Sequence, residues 1–218
     1  MTDDEDNADD DDDDDDDDGG GGAQGACHCI QICAGNLLVQ DCDISCADGC
    51  GVLIMQLREG EVFGFRNSDP PRLLRCRVHD GGDVGVCIES AMAVLTDCVI
   101  RGHTMSNIEL LQSSSGTILT GCKIEGGDQA GLHCCERSLA EMTDCQIFGS
   151  GMAGLAASEG AAVRMCRCTI REGWEGGVMA TGEGTRVTLD DCTVPTPGQH
   201  FYITSVHNCE ENGKFTMY

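Results

Sequence analysis

The sequence predicts an all-β fold, a single-stranded right-handed parallel β-helix built as a solenoid of roughly seven coils with a ~23-residue repeat, and three observations carry that expectation. The first is a period: Cys98-Val99-Ile100, Cys122-Lys123-Ile124, Cys145-Gln146-Ile147, Cys168-Thr169-Ile170 and Cys192-Thr193-Val194 follow one another at 24, 23, 23 and 24 residues. The second is a pair of columns that keep their offset to those cysteines. Leu95, Leu119, Met142, Met165 and Leu189 stand three residues before, and Ile108, Leu132, Leu155 and Val178 stand ten after, the last three directly following glycine. The third is alternation, as in Ile108-Glu109-Leu110 and Leu132-His133-Cys134, which is the period of a strand with one buried face.

Helix is excluded on the same residues, because glycine or a Ser/Thr/Gly cluster interrupts every apolar group within about five positions, too short for a stable helix. Each repeat is therefore two or three short strands joined by turns. Such a unit cannot close a core alone, so coils stack like on like at about 4.8 Å. Right-handedness follows the sense favoured for parallel crossovers.

Residues 1–26 open the chain with ten adjacent aspartates, Asp9 to Asp18, and a glycine run. Mutually repelling carboxylates bury no apolar surface, so a disordered acidic tail is expected. Residues 27–204 form the β-helix. Val39, Cys42-Asp43-Ile44 and Val52 reproduce all three columns, while Cys76 follows Cys42 after 34 residues, placing an insertion at about 58–72 that carries Phe63 and Phe65. Connections of that length in compact repeat folds are usually functional or disordered; two rings there argue against plain disorder, and either cover the coil's side or form a partner-binding loop. Residues 205–218 are read as a C-terminal cap or tail, since an open solenoid end needs protection from edge pairing.

The formal charge is −25, but fourteen acids lie in residues 1–18, so the remainder carries about −11. No basic face is left for nucleic acid. No apolar run reaches the roughly 18 residues of a membrane span. Seventeen cysteines behind an N-terminus without the basic and apolar regions of a secretory signal point to a reducing compartment, cytoplasmic or nuclear. In that setting Cys42, Cys76, Cys98, Cys122, Cys145, Cys168 and Cys192 serve as a core ladder of small polarizable groups.

If the ladder cysteine and the residue two later point inward, two outward rows follow. The first reads Asp43, Arg77, Val99, Lys123, Gln146, Thr169, Thr193, and the second Ser45, His79, Arg101, Glu125, Phe148, Arg171. Neither gathers the two carboxylates that glycosidic cleavage requires. Asp97 and Asp144 precede ladder cysteines two coils apart, about 9.6 Å at the coil spacing, but aspartate recurs there at Asp41 and Asp191, as a turn residue would. Cys27, His28, Cys29, Cys33, Cys42, Cys46 and Cys50 crowd thiols and an imidazole into 24 residues, and the separations of four at Cys29-Cys33, Cys42-Cys46 and Cys46-Cys50 just qualify as zinc knuckles, but Cys42 belongs to the interior column, and no cysteine has an evident histidine base. No metal or cofactor is therefore expected. The second row, with charges of both signs around one aromatic, suits docking of a protein or a glycan.

The elements Leu95-Thr96-Asp97-Cys98-Val99-Ile100, Leu119-Thr120-Gly121-Cys122-Lys123-Ile124 and Met142-Thr143-Asp144-Cys145-Gln146-Ile147 resemble the parallel β-helix repeats shared by carbohydrate-acting, pectate-lyase-like enzymes and eukaryotic F-box-type proteins. The resemblance covers about residues 27–204 and implies the solenoid; in the F-box-type proteins it implies substrate recognition. The leading expectation is a non-catalytic intracellular scaffold that binds another protein, with no nucleic acid or membrane as partner. Its contact residues would be Phe63, Phe65, Arg101, Glu125, Phe148 and Arg171. The alternative is a β-helix that binds or cleaves a glycan.

Overall fold

The computed structural model describes residues 27–33, 35–56, 69–171, 173–174 and 176–194, together with the strands Ile203–Thr204 and Thr216–Met217. The acidic tail, most of the insertion with Phe63 and Phe65, and most of the C-terminal segment lie outside the described residues.

Each coil up to the last contributes one strand to each of three parallel sheets, and among the described residues the last contributes to the first and third. The first sheet has eight strands, from Cys27–Ile32 through Gly49–Met55, Val86–Glu89, Ile108–Leu111, Leu132–Cys134, Ala153–Ala157 and Gly176–Thr181 to Ile203–Thr204. The second has seven, from Leu38–Gln40 to Arg186–Asp190, and the third eight, from Asp43–Ile44 to Thr216–Met217. Every pairing is parallel, and equivalent residues face each other, as in Ile124 opposite Ile100 on one side and Ile147 on the other.

That register makes the core a set of like-on-like columns. Val78, Ile100, Ile124, Ile147 and Ile170 are fully buried, as are Val52, Val86, Ile108, Leu132 and Leu155. Removing one such side chain from water contributes about 1.5–3 kcal/mol. Closed stacking of this kind supplies stability without a helix, and no helix occurs among the described residues.

The ladder cysteines sit at the turn between the second and third sheets. Cys76, Cys98, Cys122, Cys145 and Cys168 are almost wholly buried. Each thiol donates to the carbonyl two residues earlier, at 3.3 Å for Cys98 to Thr96, Cys145 to Thr143 and Cys168 to Cys166. Adjacent rungs touch, for the Cys145 and Cys168 amides each point at the next thiol, Cys168 and Cys192, at 3.4 Å. Neighbouring thiols, and burial after them, push Cys122 and Cys192 above the ordinary thiol range. Cys42 departs from the expected buried stack: it is half-buried, because it belongs to the first coil, which has a neighbour on one side only among the described residues.

The residue before each ladder cysteine is left-handed: Asp41, Arg75, Asp97, Gly121, Asp144, Arg167 and Asp191, with φ between 51° and 64°. One left-handed residue turns the chain from one sheet to the next while keeping the coil narrow. The recurrent aspartates are explained here, since a short polar side chain tolerates this conformation better than most.

Glycine precedes the inward apolar residue at the turn from the third sheet to the first because there is no room for more. A Cβ on Gly131 would lie 2.4 Å from Ile147 Cγ2 and 2.7 Å from the Gly154 carbonyl oxygen. Asn107 stands in the glycine column and donates to the Gly126 carbonyl from its side-chain amide. Beside it His103, 1% exposed, accepts at Nδ1 from the Gly81 N–H (3.2 Å) and donates from Nε2 to the Val78 carbonyl (3.3 Å). Gly85 admits the ring, for a Cβ there would meet His103 at 2.7 Å. Burial lowers the His103 pKa below its ordinary value.

Candidate functional site

Each strand of the third sheet is two or three residues long with one residue inward, so both flanking side chains point out from the same face. The two outward rows of the sequence therefore merge into one surface. On it Lys123, Gln146 and Thr169 lie side by side, as do Arg101, Glu125, Phe148 and Arg171.

The surface changes character along the solenoid. At its N-terminal end His79 bridges two carboxylates, Nε2 to Asp43 at 2.5 Å and Nδ1 to Asp80 at 2.8 Å. The His79 contact holds the Asp80 carboxyl below the usual carboxylate range. Farther along, acids thin out and a concavity of about 570 Å³ opens, lined by Lys123, Gln146, Phe148, Thr169 and Arg171. Lys123 Nζ lies 4.9 Å from the centre of the half-buried Phe148 ring and is paired with Glu125 on its own strand. An ammonium over a ring face is attracted by the ring quadrupole, by about 0.5–1 kcal/mol at an exposed site. Lys123 thus fixes the ring while its charge stays at the surface.

Of the expected contact residues, Glu125, Phe148 and Arg171 are consecutive across three strands, and Arg101 faces Glu125 from the preceding one. Glu125 takes Lys123 as its ion partner, although an Arg101–Glu125 pairing is the simpler reading of the row. Lys123, Gln146 and Thr169 were not among the expected contacts. The signal for them was present, because residues i and i+2 of a strand share a face.

The carboxylates weighed for glycosidic chemistry do not converge. Asp144 is gripped by Arg167, Oδ1 by Nε and Oδ2 by Nη2, both at 2.8 Å, and that contact lowers its pKa. Asp97 lies over Gly121, where a Cβ would meet its Oδ1 at 2.4 Å. On the first sheet's outer face, Glu109 and His133 are 3.4 Å apart on adjacent strands. A second concavity, about 670 Å³, lies at the turn from the first sheet to the second, among Gln112, Ser113, Glu136, Arg137 and Glu159. There Glu136 Oε2 accepts from the Gln112 N–H at 2.7 Å. It has two carboxylates but no ring or apolar floor.

The cysteine-rich first coil disperses its thiols. Cys27 and Cys29 are exposed, Cys46 points at the Cys27 carbonyl at 3.7 Å, and Cys50 at Asp83 Oδ2 at 3.6 Å. Among the described residues no three His, Cys, Asp or Glu side chains converge to hold a metal ion. Burial pushes the vicinal thiols up, Cys134 to about 12 and Cys135 to about 11, which makes them poor nucleophiles.

With this architecture in hand, the chain belongs to the right-handed β-helix family: the family's sequence model, described as a right handed beta helix region, matches residues 62–212. No curated protein sequence matches the chain. Among solved structures it is similar to the periplasmic alginate epimerase AlgG, at 12% identity and a TM-score of 0.62, with 75% of this chain and 42% of that one covered. A mutant of the same epimerase superposes with a TM-score of 0.65 at 13% identity, covering 76% of this chain and 42% of that one. The chain thus spans about two-fifths of the length of these neighbours.

These neighbours overturn the intracellular location expected from the thiols and the N-terminus, because both are periplasmic proteins. The thiol argument fails for a physical reason. Cys76, Cys98, Cys122, Cys145 and Cys168, 0–1% exposed, are shielded from oxidants by the fold itself, so these ladder thiols do not require a reducing compartment, whereas Cys27 and Cys29 are exposed.

Proposed function

We propose that the chain is a carbohydrate-binding β-helix that holds an anionic polysaccharide of the polyuronate type along the outer face of its third sheet. The single observation behind this reading is the groove in which Phe148 lies between Lys123 and Arg171. A pyranose ring offers C–H groups to an aromatic face while its carboxylate and hydroxyls stay in water. Phe148 supplies the face, Lys123 and Arg171 the charge, and Gln146 and Thr169 hydrogen-bonding groups. Two cations, Lys123 with Glu125 as its ion partner and Arg171, favour an anionic ligand only locally on a chain of charge −25, since screening confines attraction to about 8–10 Å. The solved neighbours, named as alginate epimerases, agree in substrate class. No carboxylate is among the residues lining the groove, so the reading is of binding, with no step of bond cleavage assigned. The protein-scaffold expectation has no comparable observation in its favour.

The test is calorimetric titration of the full chain with a polyuronate oligosaccharide and with a neutral oligosaccharide of equal length. Saturable heat with the uronate, weakened by added salt and by Lys123→Ala, is expected. Equal affinity for the neutral ligand, or heat with neither, would reject the reading.

A further inference from the structure

Trp174 is the chain's one tryptophan, and it is 86% exposed, far more than Leu37 at 49%, the next most exposed large apolar side chain among the described residues. A ring that large left in water contributes almost nothing to the core, so packing does not account for it. Its place is set by backbone. The Trp174 N–H donates to the Ser150 carbonyl at 3.1 Å, in the coil that presents Phe148. Gly173 brings the turn close to the next strand, since a Cβ there would fall 2.2 Å from the Gly176 carbonyl oxygen.

Resting on the polyuronate reading above, we propose that Trp174 is a second aromatic platform of the same site, extending it from the third sheet around the turn toward the first. Arg171 is directly opposite Phe148 in the sheet, and Trp174 follows Arg171 by three residues, a reach of at most about 10–11 Å. One short oligosaccharide can therefore touch Phe148, Arg171 and Trp174 together. Phe148, Arg171 and Trp174 offer ring, cation and ring, with the acids Glu172 and Glu175 flanking the tryptophan in the sequence, so the two ring faces meet the apolar faces of successive sugar units and Arg171 meets a carboxylate. A protein surface has no such regular alternation, which is why a glycan is the favoured occupant.

Because the tryptophan is unique, its fluorescence reports on this position alone. The full chain is titrated with a polyuronate oligosaccharide and with a neutral one, following emission and heat in parallel, and Trp174→Ala and Trp174→Phe are titrated by heat. Expected are a shift to shorter wavelength that saturates with the heat, affinity about tenfold weaker in Trp174→Ala, and recovery of most of it in Trp174→Phe. Heat with unchanged emission, and unchanged affinity in Trp174→Ala, would overturn the platform while leaving the binding reading intact. Heat with neither oligosaccharide removes both. An equal emission response to the neutral ligand supports the platform and removes the charge preference.

Discussion

Arg167 closes on Asp144 of the preceding coil through two parallel hydrogen bonds, and Arg75 closes on Asp41 in the same way, Nε to Oδ1 at 2.7 Å and Nη2 to Oδ2 at 2.8 Å. Both pairs sit in the left-handed column, whose order Asp41, Arg75, Asp97, Gly121, Asp144, Arg167, Asp191 reads the same in either direction. Each arginine thus lies between two aspartates, and the neighbouring Asp97 and Asp191 add to the charge that raises the arginine pKa values.

Asp97 and Asp144 share a strained backbone but differ in partners. Asp97→Gly should stabilise by about 0.5–1 kcal/mol through relief of the left-handed conformation. Asp144→Gly should be near neutral, because the same relief is offset by loss of an exposed pair worth about 0.2–1 kcal/mol. Urea midpoints at constant slope measure both, and a clearly destabilised Asp97→Gly would show that its carboxylate makes a contact of value over Gly121.

His103 makes stability depend on pH. Its folded pKa is lowered, chiefly by burial, with Asp80 favouring and His79 opposing the charged form. The unfolded chain therefore binds more protons below about pH 6.5, so the stability contribution is complete above about pH 6.5 and falls as pH drops from there toward the folded pKa. His103→Gln should flatten the pH dependence of urea midpoints below about pH 6.5. An unchanged slope would assign the linked proton to another group.

Cys122 is 1% exposed between two other thiols. Cys122→Ser should cost about 1–3 kcal/mol, since the shorter C–O bond draws the hydroxyl back from the Leu95 and Thr120 carbonyls, which the thiol reaches at 3.5 and 3.6 Å, and buries a more polar group among apolar neighbours. Denaturant unfolding under reducing conditions is the measurement; a loss below about 0.5 kcal/mol would mean that the hydroxyl finds a good partner.

Gly131→Ala should destabilise by at least about 2 kcal/mol, as the new methyl would press on both Ile147 and the Gly154 backbone. Thermal unfolding tests it, and a midpoint within a degree or so of the parent would mean the coils can part without cost.

The fold was legible because its inward residues repeat with one period and alternate with another, and Cys98, Cys122, Cys145 and Cys168 mark both. The groove was legible only in part. Phe148 and Arg171 were found as an outward row, whereas Lys123 was set in a separate row, although two outward residues of a three-residue strand occupy one surface. Trp174 was silent because it lies in a turn, where no period announces which way a side chain points. His103 was equally hidden: its burial depends on Gly81 and Gly85 of the neighbouring coil making room, a three-dimensional coincidence that spacing along the chain does not encode.

Equivalent residues of successive coils meet like on like, and this has a bearing on how such a chain can change in length. Excising Gln146 to Cys168 would join Cys145 to Thr169 and lay Thr169-Ile170-Arg171 directly on Lys123-Ile124-Glu125, isoleucine still on isoleucine. The interior would scarcely register the cut, yet Phe148 would be gone and Glu125 would confront Arg171. Gain or loss of whole repeats is therefore nearly invisible to selection for folding, and the cost falls instead on what the outside can grasp.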